Sequence, residues 1–123
     1  MDFTGTRPIY LQIADYIVDT IISEIWKAEE RIPSVRELAA EIEVNPNTVA
    51  RTYGFLNDMK IIQNVRGIGY FISADALKLS SDFKKNEFIS TELPEVFRKM
   101  DLLNINFDQL KKLYQDGKKT PAK

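Results

Sequence analysis

The stretch that decides the fold is Ile32 to Ser73, IPSVRELAAEIEVNPNTVARTYGFLNDMKIIQNVRGIGYFIS. At its start Ser34 can accept from the amide of Glu37 while the Glu37 carboxylate reaches back to the Ser34 amide, a capping box that begins a helix. That helix runs to about Ile42. Asn45 is then a good N-cap, and Pro46 suits the first helical position, where its missing N–H removes no bond. A second helix therefore starts a few residues after the first ends, and so short a gap makes the two cross steeply. Ala39 falls where they come closest, with Val44 and Val49 as the apolar wedge between them. After Met59 the pattern changes to β-branched and aromatic residues, Ile61, Ile62, Tyr70, Phe71 and Ile72, around Gly67 and Gly69, which predicts a two-stranded hairpin with Arg66 at its tip. Two short helices, a tight turn and a hairpin are the outline of a winged helix-turn-helix.

Upstream, residues 1–7 read as a short arm, and Pro8 stands in the first turn of a long amphipathic helix. Ile9, Ile13, Tyr16, Ile17, Ile21 and Ile25 recur at three- and four-residue steps. Tyr10, Ala14, Val18 and Ile22 widen its apolar arc, so this helix is either buried on two sides or turned in part toward a partner. Trp26 anchors the loop that follows.

Downstream of Ser73, Ala76, Leu79, Phe83 and Phe88 are widely spaced apolar points on a helix. Leu93-Pro94 marks a kink or restart, because Pro94 cannot donate to the preceding turn. The next helix carries Val96, Phe97, Met100 and Leu103. Asn106 with Gln109 can cap a last helix bearing Phe107, Leu110, Leu113 and Tyr114, which Gly117 and a basic tail end. The fold class is mostly α with a small β-hairpin wing (α+β). Residues 1–73 are expected to form the winged helix-turn-helix and residues 74–123 a helical dimerisation region. Phe83, Phe88, Leu93, Val96, Phe97, Met100, Leu103, Leu110, Leu113 and Tyr114 are too many apolar side chains for two or three helices to bury alone. A second copy of the chain is expected to cover them; docking back on the first helix is the alternative.

At 123 residues, 28% charged and 44% apolar, the chain is long enough for one small domain with an appendage. It contains no cysteine and no histidine, which excludes disulfides, zinc sites of the Cys/His type and Cys or His catalysis. No metal and no cofactor is expected, and no acid/base pair or nucleophile is arranged for an enzyme. No apolar run approaches the roughly 20 residues that span a bilayer, and the N-terminus lacks a signal-peptide pattern, so a cytoplasmic location is expected. Net charge is −1, and up to Ser73 seven basic residues face ten acidic ones. That balance opposes nucleic-acid binding. From Val44 to Ser73, however, Asp58 is the only acid against Arg51, Lys60 and Arg66, so the motif itself is locally positive.

These residues carry a resemblance. IPSVRELA, VNPNTVARTY and RGIGYFI, preceded by PIYLQIADYI, resemble the GntR family of bacterial transcription regulators, and the short helical C-terminus with the NPNTV-R-Y second helix resembles its YtrA-type branch. The likeness is close over residues 7–73; beyond them it rests on length and the Leu93-Pro94 kink. It implies a winged-helix homodimer on a pseudo-palindromic operator in double-stranded DNA, usually a repressor relieved by an effector. Arg36 would contact DNA from the first motif helix. The second helix would lie in the major groove with Asn45, Asn47, Thr48, Arg51 and Tyr53, and Arg66 and Gly67 of the wing would approach the minor groove. Elementary chemistry supports several of these roles. Ser34 and Asn45 stand at helix N-termini, whose free amides favour phosphate. Arg36 and Arg51 suit guanine or phosphate, Asn47 suits adenine, and Gly67 lets backbone approach closely. Against them, Asn45 can be a cap alone, Tyr53 can belong to the core, and Arg36 can pair with Glu37 or Glu41 on the surface.

The chain departs from the family pattern at Glu24, Glu29, Glu43 and Lys60, which replace usual glycines; a left-handed conformation at Glu43 would be strained. Pro46 replaces an arginine of other branches. A small-molecule effector between the C-terminal helices and the first helix is suggested only by the aromatic excess there. The competing reading is a winged-helix module that binds protein without touching DNA, for which the acidic balance of the first 73 residues is the argument.

Overall fold

A computed structural model describes residue 3 and residues 5–119, the side chain of residue 119 excepted. Most of the expected tail beyond Gly117 lies outside the described residues. The chain divides into two compact units, Met1–Lys84 and Lys85–Lys123.

The first unit holds α1 (Ile9–Ile22), α2 (Val35–Ile42), α3 (Pro46–Asp58), β1 (Ile62–Val65), β2 (Gly69–Ile72) and most of α4 (Ala76–Glu87). Pro8 is the N-cap of α1, not a residue of its first turn, and its carbonyl accepts from the amides of Leu11 and Gln12. The helix ends before Ile25, which is 71% exposed, and Ile9 and Tyr16 also face outward. Ile13, Ala14, Ile17, Val18 and Ile21 are buried, so the wide apolar arc is absorbed by the core of the chain itself. That core is completed by Leu38, Ala39 and Ile42 of α2, Val49, Tyr53 and Leu56 of α3, and Ile61, Ile62 and Ile72 of the hairpin. Trp26 packs against its edge, as expected of an anchor.

The strands pair antiparallel, Ile62 opposite Ile72 and Val65 opposite Gly69. Residues 29–32 add a third, short backbone stretch to β2: the amides of Glu29 and Ile32 donate to the carbonyls of Ile72 and Tyr70, and the Ile72 amide to Glu30. The sequence predicts only a loop there. On α4, Ala76, Ser80 and Phe83 are buried, which is why the first unit continues past the hairpin. Phe83 thus belongs to the core, its ring edge-on to Phe55 at 5.9 Å, and the expectation that it needs a partner to cover it is corrected.

Helix ends share one device. Glu24, Glu43 and Lys60, after α1, α2 and α3, all have left-handed backbones, with φ of 58°, 58° and 64°. The next amide in each case reaches back five residues: Ile25 to Thr20, Val44 to Ala39 and Ile61 to Leu56. This satisfies carbonyls that a helix end leaves open. The turn after α2 is therefore tight despite the absence of glycine.

In the second unit a π turn, Phe88–Glu92, leads into α5 (Leu93–Leu102), followed by α6 (Phe107–Lys119). α5 begins at Leu93 with Pro94 in its first turn, so the pair marks a restart of the α-helix, as the sequence predicts. The wider turn, closed by the Leu93 amide on the Phe88 carbonyl, makes room for a residue without an N–H. Asn104, at φ 57°, ends α5 as the glutamates end the earlier helices. Asn106 and Gln109 cap α6 reciprocally, amide to side chain at 2.9 Å each way. The helix runs through Gly117 instead of stopping at it. Among the described residues of this unit none is buried.

Candidate nucleic-acid interface

Three features of the first unit bear the residues singled out from sequence: the start of α2, the first two turns of α3, and the hairpin tip. At the start of α2 the capping box is complete, with the Ser34 amide 2.9 Å from the Glu37 carboxylate and the Glu37 amide 3.1 Å from the Ser34 hydroxyl. These hydrogen bonds, to the Ser34 backbone first, hold the Glu37 carboxyl below its ordinary range. Two residues after Ser34, Arg36 is exposed. Among the described residues no carboxylate lies within ion-pair distance of Arg36, Arg51 or Arg66; the ion pairs of this unit are made by Arg7 with Asp15 and by Lys84 with Asp15 and Asp19.

On α3 the Asn45 side chain accepts from the Asn47 amide at 2.8 Å, so its carbonyl serves as a cap and its amino group stays open. Asn47 and Arg51 are exposed and Thr48 half-buried, all on one helix face. With Pro8, Ile9 and Tyr10 they line an open groove of about 380 Å³. The Arg51 guanidinium stacks on the Tyr10 ring, 4.0 Å from its centroid, and Tyr10 was not foreseen as a member of this site. Its backbone is fixed to the same helix, because the Thr52 hydroxyl donates to the Tyr10 carbonyl at 2.8 Å.

Tyr53 is the correction within the site. It is fully buried, its hydroxyl donates to the Pro33 carbonyl at 2.6 Å, and its ring stands edge-on to Tyr70 at 4.8 Å. A side chain so enclosed cannot reach DNA. Its service is to hold the residue before the α2 cap against α3, and burial pushes its phenol well above the ordinary tyrosine range.

At the wing tip Arg66, Gly67 and Ile68 are exposed, and Gly67 has φ +79°, a conformation that favours glycine. Arg31, beside the wing, lies over Gly69, where a Cβ would come within 3.2 Å of its Nε. The third stretch paired with β2 brings it there, and no local pattern in the sequence announces that pairing.

The exposed start of the second helix, the basic side chain at the start of the first and the glycine-tipped wing together define a winged helix-turn-helix of the DNA-reading class. The chain belongs to the gntR family of bacterial regulatory proteins, whose family model matches residues 9–72. It is 41% identical over 76 residues to the transcriptional repressor YtrA of Bacillus subtilis, covering 62% of this chain and 58% of that protein. A solved structure of a GntR-family regulator from Bacteroides thetaiotaomicron superposes with a TM-score of 0.78 at 40% identity, covering 90% of this chain and 96% of the other. The AraR DNA-binding domain in complex with operator ORX1 superposes with a TM-score of 0.55 at 25% identity, over 58% of this chain and 93% of that one. The chain spans about three fifths of the length of three of the curated relatives it matches and less than a third of three others. Among the described residues no helix is long and apolar enough to cross a membrane.

Proposed function

We propose that this chain is a sequence-specific DNA-binding repressor, acting in the cytoplasm as a homodimer on a pseudo-palindromic operator. Residues 1–73 read the duplex and residues 74–123 assemble the dimer and respond to an effector. The observation that carries the reading is the free basic and amide face of the motif: Arg36, Asn47, Arg51 and Arg66 all reach solvent, and among the described residues none of these arginines is neutralised by a carboxylate. Arg51 and Asn47 have the donors for bidentate recognition of guanine and adenine, and Thr48 is short enough to suit a phosphate or a thymine methyl. Ser34 and Asn45 cap helices whose remaining free amides face phosphate. Arg66 and Gly67 suit the minor groove. The similarity to a transcriptional repressor and to a DNA-binding domain in complex with its operator supports the same assignment.

The test is selection of sites from random duplex DNA by the purified full chain, with its mass in solution recorded alongside. A two-fold symmetric site with half-sites about one helical turn, roughly 34 Å, apart is the expected result. No enrichment by a folded dimer would instead support the protein-interaction module. An effector is the further part of the proposal, and calorimetry against a metabolite panel tests it; a panel without a binder removes its support.

A further inference from the structure

The groove beside Arg51 carries an inference that rests on the reading of α3 as the helix that meets DNA. We propose that Tyr10 is a positioning residue for that recognition: its ring is a plate that holds the Arg51 guanidinium ready for its base or phosphate. Arg51 is the only basic side chain on α3, and Tyr10 is the group it stacks on, at 4.0 Å. A guanidinium whose central carbon lies over a ring is held by the ring's electron-rich face, which offers no hydrogen-bond acceptor in competition with a base, so its N–H donors remain for bidentate recognition of guanine. A long side chain already fixed in one conformation also loses less freedom on binding.

The plate is itself held. The Tyr10 carbonyl accepts from Thr52 one residue beyond Arg51, the Tyr10 ring meets Phe55 edge-on at 6.1 Å, and Phe55 meets the buried Phe83 at 5.9 Å. An aromatic relay thus runs from the core side of α4 to the one cation of the recognition helix. The ring, and not the hydroxyl, performs this role.

Five full-length proteins test it on the duplex that the wild type enriches from a random library: wild type, Tyr10→Phe, Tyr10→Leu, Arg51→Ala and the Tyr10→Leu/Arg51→Ala double variant. Affinity is measured on that duplex and on copies with each base pair changed. Arg51→Ala is expected to flatten discrimination at one base pair of each half-site. Tyr10→Phe keeps the ring and stays within about twofold of wild type, while Tyr10→Leu loses about three- to tenfold and relaxes the same base pair. In the Arg51→Ala background the Tyr10→Leu loss shrinks below about twofold, because coupling is what the cycle reads. A Tyr10→Phe loss as large as that of Tyr10→Leu would overturn the proposal in favour of a direct hydroxyl contact, and an undiminished Tyr10→Leu loss without Arg51 would overturn it in favour of general packing. If Arg51→Ala changes neither affinity nor base preference, or no duplex is enriched, the reading of α3 fails first and this proposal with it. Should Tyr10→Leu not fold, the Arg51 Nε–H resonance decides: a ring-current shift is expected in wild type and Tyr10→Phe, and its absence refutes the stack.

Discussion

Tyr53 and Arg51 stand two residues apart on α3 and end in opposite surroundings, one sealed in the core and one open to solvent. In a helix that spacing turns a side chain by about 200°, so an open face and a packing face alternate this way. Tyr53→Phe removes the donor to Pro33 while keeping the ring, and it should cost about 1 kcal/mol of stability in urea unfolding, the net worth of a partly buried hydrogen bond. An unchanged midpoint would mean water replaces the phenol. Arg36→Ala, on the exposed start of α2, should leave stability unchanged and weaken binding to the selected duplex by about 1–3 kcal/mol, read by titration at fixed salt. Glu37 supplies a pH dependence whose sign follows from its cause. Its folded carboxyl titrates below the ordinary value of 4.5, so the carboxylate's contribution is complete above that value and is lost as pH falls through the lower folded one. Denaturation midpoints taken down the acid range should fall less steeply in Glu37→Gln than in the parent; equal slopes would mean other carboxylates dominate acid unfolding.

At the scale of elements, what could be read from sequence was what is local. Ser34 with Glu37, Asn45 with Pro46, and Asn106 with Gln109 each announce a helix start within four residues, and the hairpin is announced by its glycines and β-branched neighbours. What escaped depends on distant partners. The burial of Tyr53 and Phe83, the outward turn of Ile9 and Ile25, the pairing of Arg31 beside the wing and the stack of Tyr10 on Arg51 all require knowing how α1, α3 and α4 meet. The left-handed helix ends lie between these cases, because the family pattern placed glycines there and the chain keeps the conformation without them. A non-glycine residue in that conformation is strained by about 1 kcal/mol or more. Glu43→Gly and Lys60→Gly should therefore each raise stability by about 1 kcal/mol, roughly 4 °C in thermal midpoint for a domain of this size. A lower midpoint in either variant would show that its side chain contributes more than its backbone costs.

On the scale of the whole molecule, the two units handle apolar surface differently. The first buries most of its large apolar side chains around α1, whereas in the second Phe88, Val96, Phe97, Leu103, Leu113 and Tyr114 are exposed, joined by Ile89, Leu102 and Phe107 from outside the expected set, and Leu93, Met100 and Leu110 are half-buried. Such a concentration is uncommon on a chain that stays monomeric. The contrast of Phe83 with Phe97 separates folding from assembly. Phe83→Ala opens the core and should cost about 3–5 kcal/mol of stability in the isolated chain. On the proposed homodimer, Phe97→Asp removes a half-exposed ring and should leave the circular dichroism spectrum unchanged, yet halve the mass in sedimentation by placing a charge in the face proposed as the interface. DNA affinity should fall with it, because two half-sites are then bound by separate chains without the effective concentration that linkage supplies. A Phe97→Asp protein that keeps the parent's mass would put the interface elsewhere, with the exposed side chains of α1, Ile9 and Tyr16, as the next surface to vary.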